Sequence, residues 1–259
     1  DVCSSDLGQA IVFYDTGDAG HNTTAPTGIY EDSGWQYEGS ADSYLGVPIA
    51  PFFFITAGHI SEINTSTPFI FHGDTYTILN TPGNPHDIPG TDLRVWEVVH
   101  SKPFPTYAPI CTGTGNIDLG ATATIIGRGT RRGTDITIPE SSGVLKGWQW
   151  GTMDHVQRWG RNVVEGVADA PPSYGELLYC DFDKPGINDE CALTLQDSGG
   201  GLFVLENGLW RLAGISYLVD GGFRIPPSGA PITAPIFDLG GFEYQSSPGV
   251  WTLITDTAE

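Results

Sequence analysis

The sequence predicts an all-β protein. Glycine (35) and proline (19) are abundant among 259 residues, which demands many turns. Short runs rich in Val, Ile, Phe, Tyr and Trp recur between those turns, as half-buried pleated surfaces require. No stretch carries the periodicity of a long amphipathic helix.

Strands are expected in order at Ala10–Tyr14, Trp35–Glu38, Phe52–Thr56, Thr67–Phe71, Thr75–Leu79 and Leu93–Val99. The second half offers Ala121–Gly127, Val144–Trp150, Leu177–Phe182, Leu202–Leu205 and Trp210–Leu218. Leu93-Arg94-Val95-Trp96-Glu97-Val98 alternates apolar and polar almost strictly, the mark of a strand with one buried face. Asn207-Gly208 between two apolar runs reads as a hairpin turn. Asp15–Asp32, polar and rich in Gly and Thr, reads as a surface loop, and Val250–Thr255 is a weak late helical candidate. The richest apolar run, Val47–Ile55, is broken by Pro48 and Pro51 and is far too short to span a membrane. The proline-rich connection Ser101–Thr114 is the expected boundary between two units, residues 1–105 and 106–259.

Eleven basic residues against 31 acidic ones give a formal charge of −20, a field that repels phosphate backbones and excludes nucleic acid as a partner. No run approaches the roughly 20 apolar residues of a membrane-spanning helix. Four cysteines, Cys3, Cys111, Cys180 and Cys191, form no C-x-x-C pair and have no histidine at zinc-ligand spacing. An even count fits two disulfides in an oxidising compartment. The opening DVCSSD lacks a charged and an apolar leader region, so any export signal is expected to have been removed. Asp181–Glu190 clusters oxygen ligands, but Pro185 and the absence of an acid at the twelfth position favour a solvated acidic loop over calcium.

Three segments carry chemistry. Ser198 sits in Gln196-Asp197-Ser198-Gly199-Gly200-Gly201, before an apolar strand, where glycines permit a tight turn that exposes a hydroxyl. His59 closes Phe52-Phe53-Phe54-Ile55-Thr56-Ala57-Gly58-His59, a buried strand ending at a loop, where an imidazole can act as a general base. Asp92 opens an alternating strand and can fix that imidazole's tautomer. Each is also a plausible structural residue. In the order His, Asp, Ser, across two units, they point to a nucleophilic triad.

Thr56-Ala57-Gly58-His59, Asp92-Leu93-Arg94-Val95 and Gln196-Asp197-Ser198-Gly199-Gly200 resemble the motifs of the chymotrypsin/trypsin-like serine peptidases, in the style of secreted bacterial members. The resemblance implies two six-stranded antiparallel Greek-key barrels, the first carrying His59 and Asp92, the second Ser198. It implies a secreted monomer that hydrolyses a polypeptide substrate through an acyl-enzyme, with no cofactor and no metal. By the same resemblance Ala192 floors the primary specificity pocket, with no charge to recruit Lys or Arg. Gly214–Leu218 pairs with the substrate backbone, with Ser216, Tyr217 and Leu218 at the pocket. Cys3–Cys111 and Cys180–Cys191 are the implied disulfides.

The family's oxyanion hole maps onto the N–H groups of Gln196 and Ser198. The family uses glycine at the first position, so Gln196 is expected to let its peptide flip until substrate binds. On that expectation Gln196→Gly raises turnover several-fold. The family's mobile amino terminus is absent, because Ala10-Ile11-Val12-Phe13 is internal. Asp197 must therefore be held by an arginine or by backbone N–H groups. The competing reading is a catalytically silent module that uses the cleft to dock peptides.

Overall fold

The computed structural model describes residues 11–112, 119–138, 143–169, 174–219 and 221–255. In the first half the strands are β1 (Val12–Phe13), β2 (Gly39–Ala41), β3 (Tyr44–Ala50), β4 (Phe53–Ala57), β5 (Pro68–Phe71), β6 (Asp74–Thr77), β7 (His86–Asp87) and β8 (Leu93–Glu97). The second half adds β9 (Thr122–Gly127), β10 (Thr130–Thr137), β11 (Leu145–Met153), β12 (Arg158–Val163), β13 (Gly166–Asp169) and β14 (Glu176–Tyr179). It continues through β15 (Cys191–Ala192), β16 (Gly201–Glu206), β17 (Leu209–Ile215), β18 (Phe223–Arg224), β19 (Glu243–Ser247) and β20 (Val250–Leu253). Among the described residues no helix is long and apolar enough to cross a membrane.

The protein is all-β. Strands β2 to β8 form one partly curled seven-stranded sheet in the order β6-β5-β2-β3-β4-β8-β7. In the second half β12-β9-β16-β17 form a four-stranded sheet, and smaller sheets pair β10-β11, β13-β14 and β18-β19-β20. Among the described residues the ladders are one sheet of seven strands and five smaller sheets. Strand β1 crosses over to pair with β15, setting Val12 opposite Ala192.

Several elements differ from the sequence expectations, each for a local reason. Trp35–Tyr37 is a 3₁₀ turn rather than a strand, entered through Gly34 at φ 117°. Val250–Leu253 is a strand, because Gly249 at φ 77° turns the chain back onto β19. Strand β3 runs through Pro48 despite that residue's missing N–H. A register shift lies between Pro48 and Ala50, and the Pro48 carbonyl accepts instead from the N–H of Ala108.

The alternation Pro68-Phe69-Ile70-Phe71 buries Phe69 and Phe71 and exposes the other two. Phe69 stacks on Phe54 at 3.9 Å between ring centres, inside a first-half core that also holds Trp96 and Phe104. A second cluster spans both halves: Leu45 and Val47 of β3 pack with Ile126 of β9, Phe203 of β16, and Trp210 and Leu212 of β17. Phe203 is fully buried and lies so close to Gly34 that a Cβ there would overlap its ring. This shared core fixes β16, and hence the residues just before it, against the first half.

Phe203→Ala should therefore cost about 3–5 kcal/mol, read as a lowered midpoint of a single urea transition. A loss below about 1 kcal/mol would contradict this coupling of the two halves.

Candidate active site

The β4–β8 ladder pairs Ala57 with Leu93, so the end of β4 lies beside the start of β8. The Gly58 N–H donates to the Asp92 carbonyl at 2.6 Å, which extends that register into the loop. His59 and Asp92 thereby become neighbours. The His59 Nδ1–H donates to Asp92 Oδ2 at 2.6 Å, and this carboxylate sets the tautomer that leaves Nε2 free to accept. The Ser198 hydroxyl lies 2.9 Å from His59 Nε2, oriented to donate to it. The Asp92 side chain is 13% exposed and that of His59 42%. The pair is sheltered at its carboxylate end and open at its imidazole end.

Ser198 is presented by a turn closed by the Gly200 N–H donating to the Asp197 carbonyl at 3.1 Å. Gly199 at φ 90° faces the first half, and a Cβ there would run into the Leu45 carbonyl and the Thr56 hydroxyl. Thr56 Oγ1 itself donates to Leu45 O at 2.9 Å. The serine turn thus rests directly on β3 and β4.

Asp197 is 1% exposed. Its Oδ1 accepts from the Gly129 N–H at 2.7 Å, and its Oδ2 from the Thr194 N–H at 2.7 Å and the Thr194 hydroxyl at 2.8 Å. Burial pushes its pKa up to about 6, opposed by the bonds from Thr194 and Gly129 and from the Arg128 backbone. Its partners are thus backbone N–H groups and a hydroxyl, with no arginine side chain. Ile11, fully buried, packs alongside: a Cβ on Gly127 would meet both the Asp197 carboxylate and Ile11. The Ile11 side chain fills this space.

Gln196 adopts φ 69°, the left-handed region in which glycine is the usual resident. The Leu195 carbonyl accepts from the Thr130 N–H at 3.0 Å. The peptide is planar and trans, so the Gln196 N–H must point the opposite way, away from β10 and toward the cleft. That N–H has no protein partner among the described residues, nor has that of Ser198. The expected flip is therefore absent, because β10 holds the Leu195 carbonyl from behind.

A cavity of about 170 Å³ opens here, lined by His59, Gln196, Ser198 and Tyr217. Beside it lies a chamber of about 560 Å³, lined mainly by apolar residues including Leu178, Phe182, Ala192, Leu193 and Leu202. Ser216, Tyr217 and Leu218 border both. Ser216 donates its N–H to the Gly200 carbonyl and accepts from the Gly199 N–H, so its backbone faces the serine turn. Beyond Ile215 the chain leaves β17, and Val219 joins these residues on the linings of both cavities. Val219 was not singled out from the sequence; its place between the two cavities reveals it.

The cysteines require correction. Cys111, Cys180 and Cys191 are free thiols, and Cys3 lies outside the described residues. Cys111 points its S–H at Glu206 Oε1, 3.7 Å away. Cys191 is buried against Gly160 and Phe13 as a small apolar residue. Burial pushes the Cys180 thiol up to about 12, so it stays protonated. In the acidic loop Asp181 is exposed and Asp183 and Asp189 half-buried, whereas Glu190 is 1% exposed and accepts from the Ile187 N–H at 3.2 Å. Among the described residues no group of three or more His, Cys, Asp or Glu side chains is placed to hold a metal ion.

No family model matches the chain, and no curated protein does. Among solved structures the chain is similar to the Rv3671c protease in its inactive form, at 13% identity and a TM-score of 0.46. That match covers 76% of this chain and 87% of the other. A likeness this distant carries no argument, and the site is read from its own geometry.

Gln196→Gly removes a side chain from left-handed backbone without freeing the Leu195 carbonyl. It should stabilise the fold by about 1 kcal/mol and leave reactivity toward a fluorophosphonate within about two-fold. A several-fold gain in reactivity would restore the flipping peptide. A second expectation concerns Glu190, which burial raises to about 7 from its ordinary 4.5. The raised carboxyl favours the fold below about pH 4.5, and that contribution is lost as pH climbs through about 7. Urea midpoints of Glu190→Gln should lose this decline between those pH values, whereas a decline equal to the parent's would assign it to other groups.

Proposed function

We propose that this chain is a secreted serine endopeptidase in which His59, Asp92 and Ser198 form the catalytic triad. The observation that carries the reading is a single imidazole bonded to a sheltered carboxylate on one nitrogen and a serine hydroxyl on the other. Ser198 Oγ attacks the carbonyl carbon of the scissile peptide while His59 Nε2 takes its proton. The carbonyl π pair moves onto oxygen, where the N–H groups of Gln196 and Ser198 face it. Collapse of that intermediate breaks the C–N bond, and His59 returns the proton to the leaving amine. Water then repeats the cycle on the acyl-enzyme. Asp92 holds the imidazole and stabilises its protonated form without itself taking the proton.

The reading carries two barrels with it, residues 1–105 and 106–259, meeting at the shared core around Phe203. The protein is taken to act on a polypeptide as an exported bacterial monomer, with no cofactor. The neighbouring chamber, with Ala192 on its wall and an apolar lining, supports a preference for a bulky apolar residue on the acyl side of the cut bond.

The test is digestion of an unstructured protein, with cleavage sites mapped by mass spectrometry. The parent should cut after bulky apolar residues, and folded Ser198→Ala should be slower by about 10⁴-fold or more. Full activity in Ser198→Ala removes the nucleophile assignment. A folded parent that binds peptides without cutting them makes the silent docking module the better account.

A further inference from the structure

Tyr174 belongs to the hairpin arm that ends in β14, far in sequence from every residue of the triad, yet it reaches the triad's edge. Its ring lies 5.2 Å from that of Tyr217, tilted by 33°. Tyr217 in turn sets its ring 5.4 Å from His59, edge to face at 68°. The next residue, Gly175, adopts φ 75° and presses on the turn before Asp92. A Cβ there would come within 3.1 Å of the Thr91 methyl and 3.2 Å of the Gly90 carbonyl. The hairpin arm of the second half is thereby docked on the turn of the first half that carries Asp92. Thr91, Asp92, Tyr174 and Tyr217 together border the apolar chamber.

A core role does not account for Tyr174. The residue is 36% exposed and belongs to none of the buried clusters. What it touches is the residue that touches the base. Burial raises the Tyr217 hydroxyl to about 12, and the neighbouring Tyr174 and the Asp92 charge add to the rise. The Asp92 side chain, 13% exposed, borders the same chamber as Tyr174 and Tyr217. Water admitted to the His59–Asp92 pair would weaken their attraction, because the local dielectric would rise.

We propose that Tyr174 is a positioning residue, which through Tyr217 holds the His59 ring in line with Ser198 and keeps water from Asp92. The proposal rests on the reading of His59 as the base of a peptidase. It goes beyond that reading in tying the base's geometry to the packing of Tyr174 and Gly175 beside the turn before Asp92. A packing role alone would alter stability; a positioning role alters the titration of His59.

The experiment compares the parent with Tyr174→Ala, Tyr174→Phe and Tyr217→Phe. It uses peptide hydrolysis against pH and an NMR titration of the His59 imidazole in the unliganded protein. Tyr174→Ala should lower kcat about ten-fold with KM within two-fold. Its acid limb and its His59 titration should move together to lower pH by about 0.5. Tyr174→Phe keeps the ring and should recover at least half of the lost rate. Tyr217→Phe keeps the ring on His59 but removes its hydroxyl, and should move the titration in the same direction by less. That variant also serves if Tyr174→Ala does not fold. Unchanged kcat and an unchanged His59 titration in folded Tyr174→Ala, or an unmoved titration in Tyr217→Phe where the alanine variant does not fold, overturn the proposal. If the parent cuts no peptide, the peptidase reading fails, and the NMR titration still decides whether Tyr174 positions the imidazole.

Discussion

The carboxylate of Asp197 holds the geometry on which the site depends. It is nearly inaccessible to solvent, and a bare buried carboxylate would cost several kcal/mol. It is tolerated because donors from Gly129 and Thr194 converge on its two oxygens. The Gly129 bond ties the residue before Ser198 to the turn between β9 and β10, and the Thr194 bonds fold its own loop around it. The Thr130 N–H, one residue further on, holds the Leu195 carbonyl of the same loop. One short turn therefore sets both the serine's position and the direction of the N–H groups around it. Gly129 must be glycine here, since any Cβ would overlap the Leu195 carbonyl and crowd Thr194.

The arrangement also explains how a chain with Ile11–Phe13 in its interior can keep an ordered serine loop. The space beside Asp197 is filled by the Ile11 side chain, and β1 continues onto β15. Arg132 secures the segment by donating to the carbonyls of Phe13 and Tyr14 while its guanidinium lies over Trp148. Apolar packing and backbone donors together do what a charged partner could have done, with no second buried charge to desolvate.

Much of the site was legible in the sequence because its side chains sit where strands end. His59 follows a buried run, Asp92 precedes an alternating one, and Ser198 precedes the apolar start of β16. What the sequence hid is of another kind. Gly129 and Thr130 act through backbone N–H groups, which leave no residue signature. Tyr174 gains its place only through the hairpin's return over Gly90 and Thr91. Strand β3, not among the expected strands, runs through Pro48, where a register shift lies between Pro48 and Ala50. The cysteine count suggested cross-links, but Cys191 is spent on core packing and Cys111 faces Glu206. The all-β class was plain from turn and strand composition, whereas a seven-stranded sheet needed long-range pairing that no local pattern encodes.

The account's central claim is a serine site already assembled before substrate arrives, with Asp197 and Thr130 holding it from behind. A crystal structure of the protein after reaction with a small phosphonate tests this most directly. The account predicts a covalent bond from Ser198 Oγ to phosphorus and a phosphoryl oxygen within hydrogen-bond distance of the N–H groups of Gln196 and Ser198. The bonds from Gly129 to Asp197 and from Thr130 to Leu195 should be unbroken. An unmodified Ser198, or an adduct reached only by turning over the Leu195–Gln196 peptide, would contradict it.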